Sequence, residues 1–249
     1  MTHPEKPAKQ RLDCLLAARG LFETREKARR AVMAGEVRVG DSVVDKPGTR
    51  VAEDAAITVK TASRYVGRGG IKLEAALRHF GIDPTGAVCL DIGASTGGFT
   101  DCLLQHGAAK VHAIDVGHSQ LDWKIRSDPR VVVREKVNAR HLTRADVPDL
   151  IDVCVIDVSF ISLTLILPPA FELLTPKGVI LSLIKPQFEL GRDDVGKGGI
   201  IRDPALHARA VGKIEDFVGK NLAKTWCGFI ESPITGAEGN KEFLACLRN

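Results

Sequence analysis

Two lysines and two carboxylates stand where an open parallel sheet would gather them along one edge: Lys72, Asp157, Lys185 and Glu242. Asp157 follows the apolar run 153–156, and Lys185 follows the run 179–184. Both runs read as buried strands, so both charges emerge at strand carboxyl ends, where open α/β sheets bind ligands. Glu242 opens the last short apolar run, 243–247. If that final strand is antiparallel, its start lies on the same edge. Lys72 heads the helix-like stretch 71–80, just before the first strand of the sheet. Two amines with two acids can align a weak oxygen nucleophile and remove its proton. Nearby positive charge disfavours a charged lysine, so one amine can act as the base. On spacing alone, the four could equally be two surface ion pairs.

The elements that must position them alternate. Strand-like runs cover 88–94, 111–116, 131–137, 153–158 and 179–184, with helical stretches between most of them. A long helix is expected over 204–222, then strands near 227–231 and 243–247. Such alternation implies a doubly wound, Rossmann-like α/β sheet. Pro168 and Pro169 fall in a helical region and are expected to kink it. The first strand-to-helix turn is "DIGASTGGFTD", from Asp91 to Asp101, with Gly93, Gly97 and Gly98. A tight glycine turn lets backbone amides approach a ligand. Asp115 ends the second strand, where an acid can accept both ribose hydroxyls of an adenosine. The three-glycine pyrophosphate fingerprint is missing, whereas a phosphate-free adenosyl cofactor tolerates an acid before the glycines. Asp91 could then face the ligand's ammonium. Some other nucleotide fold also remains compatible with this turn. Asn138 falls where an adenine contact would lie, or it caps a loop. Residues 190–201, Gly-rich and charged, read as a lid, an RNA-contacting loop or a flexible surface loop.

The chain carries a formal net charge of +4, and residues 1–64 hold 13 Lys/Arg against 9 Asp/Glu. The remainder is therefore neutral. This pattern suits a small polyanion-binding module on a neutral body, or a solvated basic face. Residues 11–22 read as one amphipathic helix. Thr24 caps a second helix, 25–34, which carries Arg25, Lys27, Arg29 and Arg30. Strands are expected over 36–39, 42–45 and 56–60. We expect domains at 1–62 and 71–249, joined by a linker at 63–70. At 44% hydrophobic and 27% charged, the chain is ordinary globular material. Its six cysteines are scattered without a CxxC pair, as reduced thiols of a cytoplasmic protein would be, and they offer no metal site. No signal-peptide core and no membrane-length apolar window is present.

The stretch "RLD…TREKARRAVMAGEVRVGDSVVDKPGTRV" resembles the small RNA-binding S-four domain, with Thr24 where Ser is usual. That resemblance implies RNA contacts from Arg11 and from Arg25, Lys27, Arg29 and Arg30. The motifs "YVGRGGIKL", "DIGASTGGFTD", "DVSFISL", "LIKPQFELGR" and "GNKEF", taken together, resemble the TlyA group of rRNA ribose 2'-O-methyltransferases. Tyr65 stands where that group commonly has Trp. The group joins an S-four α+β domain to an FtsJ-like class I methyltransferase. The resemblance implies a Lys-Asp-Lys-Glu catalytic set at Lys72, Asp157, Lys185 and Glu242. It also implies an S-adenosylmethionine site at Asp91, Gly93, Ser95 and Asp115, to which the turn adds Gly97 and the third strand Asn138. Ribosomal RNA or subunits would be the partner, and cytidine the target. In that scheme Lys185 takes the hydroxyl proton, Lys72 holds ribose or phosphate, and the acids orient the amines. Two other readings stay open: a non-catalytic ribosome-assembly factor, and a membrane-active hemolysin, a label such proteins often carry. Oligomeric state has no signature in the sequence.

Overall fold

The computed structural model describes residues 8–59, 64–236 and 239–249. The chain divides into two compact units, Met1–Ala62 and Ser63–Asn249.

The first unit runs β1 (Lys9–Arg11), α1 (Leu12–Ala18), α2 (Arg25–Met33), β2 (Val37–Val39), β3 (Ser42–Val43), β4 (Arg50–Ala52) and β5 (Ile57–Val59). Thr24 caps α2 as expected, its hydroxyl accepting from Lys27 N at 3.2 Å. Arg11 corrects the sequence reading: it ends a strand, and the helix starts at Leu12. β1 pairs antiparallel with β4, a three-residue strand too short to show periodicity. The end of the strand expected over 56–60, Lys60, and residues 61–63 lie outside the described residues. Leu12, Leu15 and Leu16 of α1 pack with Ala28 and Val32 of α2 over Val37 and Val51.

Asp13 is buried beneath this pair of helices. It accepts from Arg11 Nε at 3.1 Å, Arg25 Nε at 3.0 Å and its neighbour Cys14 N at 3.0 Å. Hydrogen bonds from Arg11, then Arg25, hold its carboxyl well below the usual range. Its stabilising contribution is present above about pH 4 and is lost on acidification through the lowered folded value. Replacing Asp13 by Asn should cost about 2 kcal/mol, because two guanidinium partners lose their charge. Amide exchange of α1 and α2 in the full chain should then speed up roughly thirtyfold; unchanged protection would refute the anchor role.

Residues 64–70, expected as linker, are built into the second unit. Tyr65 is buried in its core with Leu73, Leu77 and Phe99, and Val66 N donates to Asp101 Oδ2 at 2.9 Å. Glycine and arginine set the composition of this segment, but one aromatic anchors it. The unit continues through α3 (Gly69–Phe80), β6 (Val88–Ile92), α4 (Gly98–Gln105), β7 (Lys110–Ile114), α5 (Trp123–Arg126), β8 (Val131–Arg134) and β9 (Ile151–Ile156). There follow α6 (Leu167–Glu172), β10 (Leu174–Ile184), α7 (Pro186–Glu189), α8 (Pro204–Asp216), β11 (Thr225–Glu231) and β12 (Phe243–Arg248).

Seven strands form one sheet in the order β11-β12-β10-β9-β6-β7-β8. Five neighbours, β10 to β8, run parallel, and β12 lies antiparallel between β10 and β11. Alternate residues feed two cores. Cys89, Val153 and Leu181 join the core under α3 and α4, whereas Leu90, Cys154 and Ile180 join the one that holds Leu167 and Ile214. Apolar faces on both sides explain why the strands read as unbroken hydrophobic runs. β6 stops two residues early at Gly93, whose φ is +88°. Pro168 and Pro169 do not kink a helix; they occupy the first turn of α6, where a missing N–H leaves nothing unpaired. Among the described residues, no helix is long and apolar enough to cross a membrane.

Candidate active site

Loops at the carboxyl ends of β6, β7, β8 and β9 line a cavity of about 500 Å³ whose walls include Gly93, Ser95, Asp115, Gln120, Asn138 and Asp157. Asp115 accepts from Ser95 N at 2.7 Å and from Gly117 N at 2.6 Å, which fixes its carboxylate at the cavity wall. Asn138 fills both of its expected roles in part: it lines the cavity, and its oxygen accepts from Arg140 N at 3.1 Å to cap a short turn. At Gly93 a Cβ would lie 2.3 Å from the Asp157 carbonyl oxygen, so only glycine permits this approach of β6 to β9.

Two expected residues do not line the cavity. Gly97 heads α4 and faces Leu121 and Ile125. Asp91 is fully buried within β6, where Thr100 Oγ1 donates to its Oδ2 at 2.6 Å. Its Oδ1 accepts no hydrogen bond among the described residues. Burial pushes Asp91 up to about 7, against the Thr100 hydrogen bond and with help from the Asp157 charge. An orphaned carboxylate oxygen, a glycine turn and a cavity of this size suit a nucleoside carrying an ammonium group.

The four charged residues form two ion pairs. Lys185 Nζ lies 2.6 Å from Asp157 Oδ1 and donates to Ser159 Oγ at 2.9 Å. Lys72 pairs with Glu242, their side chains only 10% and 4% exposed. In the β10–β12 ladder Ile184 faces Phe243, so Lys185 and Glu242 lie across from each other one step further along. A second cavity, of about 310 Å³, is lined by Ser159, Phe160, Lys185, Gln187, Gly236 and Glu242 among others. Ser159 and Phe160 border both cavities. Lys72 borders neither and stands behind Glu242, so the geometry gives it no direct approach to ribose or phosphate. A Cβ at Gly236 would sit 2.6 Å from Glu242 Oε1, which keeps that position bare.

The segment 190–201 reaches this second cavity through Val195 and Gly199. Asn240 ties it down, accepting from Ile201 N at 2.9 Å and donating to Gly199 O at 2.9 Å. Sequence reasoning did not single out Ser159, Phe160, Gln187 or Asn240, although Ser159 and Phe160 lie in the same "DVSF" run as Asp157. In the first unit, Arg11, Arg25 and Arg29 line a groove with Asp13, Glu26 and Met33. Lys27, paired with Glu23, and Arg30 are exposed on α2 away from that groove. Among the described residues, no cluster of three or more His, Cys, Asp or Glu could hold a metal ion.

The sheet order, the glycine turn and the acid ending β7 define a class I methyltransferase that uses S-adenosylmethionine. The chain belongs to the TlyA family of FtsJ-like methyltransferases. The FtsJ-like methyltransferase family matches residues 65–249, and the S4 domain family matches residues 10–57. The "16S/23S rRNA (cytidine-2'-O)-methyltransferase TlyA" of Mycobacterium tuberculosis is 44% identical, across 96% of this chain and 89% of that one. "Hemolysin A" of Brachyspira hyodysenteriae is 46% identical, across 94% and 98%. A solved structure described as "Putative hemolysin from Streptococcus thermophilus" superposes with a TM-score of 0.73 at 44% identity, covering 97% of this chain and 88% of that one.

The raised Asp91 supplies a pH test. If it faces the cofactor's ammonium, it must be ionised to bind, so affinity should rise about tenfold between pH 6 and pH 8. Calorimetric titration with S-adenosylmethionine should show that slope, and Asp91→Asn should flatten it. A slope that survives the substitution would assign it to another group.

Proposed function

We propose that this chain transfers the methyl group of S-adenosylmethionine to a ribose 2'-hydroxyl of ribosomal RNA, with a cytidine as the target. The observation that carries the reading is Lys185, held by Asp157 and Ser159 where the two cavities share a wall. The names of the relatives supply the RNA and the nucleotide. Residues 1–62 act as the RNA-binding domain and 71–249 as the catalytic one, with 63–70 between them. Work on ribosomal RNA places the activity in the cytoplasm.

When bound, S-adenosylmethionine supplies an electrophilic methyl group on a sulfonium. Asp91, Gly93, Ser95, Asp115 and Asn138 hold the cofactor, with Gly97 shaping the turn from behind. Lys185 Nζ takes the hydroxyl proton as the ribose oxygen forms its bond to the methyl carbon and the carbon–sulfur bond breaks. Asp157 and Ser159 fix the position of that amine, which matters because in-line displacement tolerates little misalignment. Glu242 closes the opposite side of the cavity, and Lys72 acts through it as a positioning residue. Arg11, Arg25 and Arg29, aided by Lys27 and Arg30, hold RNA phosphates through their guanidinium and ammonium groups.

The test is methyl transfer from radiolabelled cofactor to ribosomal RNA or subunits. Lys185→Ala should lose at least about a thousandfold in kcat, as expected when a general base is removed from an aligned site. Its affinity for S-adenosylmethionine should stay within a few-fold of the parent. Retained turnover would reject the role of Lys185, and absence of transfer by the parent on every ribosomal RNA would reject the function.

A further inference from the structure

In the second cavity, the polar side chains beside Gln187 are already engaged. Lys185 holds Asp157 and Ser159, Glu242 holds Lys72, and Asn240 is spent on Ile201 N and Gly199 O. Gln187 differs: its Oε1 is shut away from solvent and accepts no hydrogen bond among the described residues. A buried acceptor without a donor is destabilising, so the site is complete only when a ligand brings the donor. Phe188 and Val195 give the same cavity apolar walls, which suit the faces of a planar group.

Gln187 lies two residues beyond Lys185, at the start of α7. On the reading under Proposed function, the target ribose lies at Lys185 Nζ, so the base of the same nucleotide falls within reach of the amide. An amide is the side chain that pairs with a base edge presenting an amine beside an unprotonated ring nitrogen. We propose that Gln187 determines base specificity: its Oε1 accepts from the exocyclic amine of the target base, while its NH₂ faces the adjacent ring nitrogen. Cytosine and adenine present that edge. Uracil presents a carbonyl beside a protonated nitrogen and leaves the buried oxygen unmatched.

The experiment compares kcat/KM of the full chain on two ribosomal RNA fragments that differ only in cytidine or uridine at the methylated position. The parent should prefer cytidine by roughly ten- to a hundredfold. Gln187→Leu should lose that preference, chiefly through slower methylation of the cytidine RNA, while cofactor affinity holds. Its thermal midpoint should stay level or rise, because an unmatched acceptor has left a partly apolar site. Each ratio is internal to one enzyme, so a partly unfolded preparation does not distort it, and Gln187→Met supplies a second apolar variant of similar length. A preference retained in both variants, or a lower midpoint with the preference intact, would overturn the assignment. If the parent methylates both RNAs equally while Lys185→Ala is inactive, the base assignment alone fails. If the parent methylates neither, the proposed function fails with it.

Discussion

The antiparallel pairing of β12 with β10 is the constraint on which the site depends. A final strand running parallel would deliver its end to the ligand edge; run antiparallel, it delivers its start, and so Glu242. The register that sets Ile184 opposite Phe243 then brings Glu242 across from Lys185. That register is held by side chains buried on both faces of β12, Leu244 in one core and Ala245 and Leu247 in the other. A slip by one residue would reverse every face, so the ladder cannot drift. The parallel pairing of β6 with β9 does the same for Gly93 and Asp157.

Charges set this deep must be paired, since removing one partner leaves the other uncompensated. The two lysines meet that demand with one carboxylate each. Other buried acids show what full satisfaction looks like here. Glu189 accepts from Ser162 Oγ at 2.6 Å, Leu163 N at 2.8 Å and Lys213 Nζ at 3.2 Å, and so pins α7 to the loop after Asp157. Asp13 is as thoroughly bound in the first unit. Asp91 and Gln187 each keep one buried oxygen open instead, Asp91 behind the glycine turn of the first cavity and Gln187 in the wall of the second. Each of these is a place where the fold forgoes stability that a ligand can restore.

Much of this arrangement was legible in the chain. The runs before Asp157 and Lys185 marked strands buried on both faces, and the Gly-rich turn marked the ligand edge. The order of several motifs along the chain carried the family. The errors have local causes. Strands of three residues, such as β4, show no period, and a basic Gly-rich segment reads as linker even when one Tyr buries it. A proline pair looks disruptive until the start of the helix is known. Lys72 was expected at the substrate because its type and place in the motif say nothing of depth.

By itself the sequence determined the fold class, the strand ends and the chemical types present at them, because hydrophobic period and glycine placement are properties of neighbouring residues. Only the tertiary structure decided that Lys185 pairs with Asp157 and Lys72 with Glu242, that Lys72 stands behind its carboxylate, and that Gln187 has an unmet oxygen. Those outcomes depend on which segments the sheet brings together and on what else has already claimed each hydrogen bond, and no local pattern encodes either.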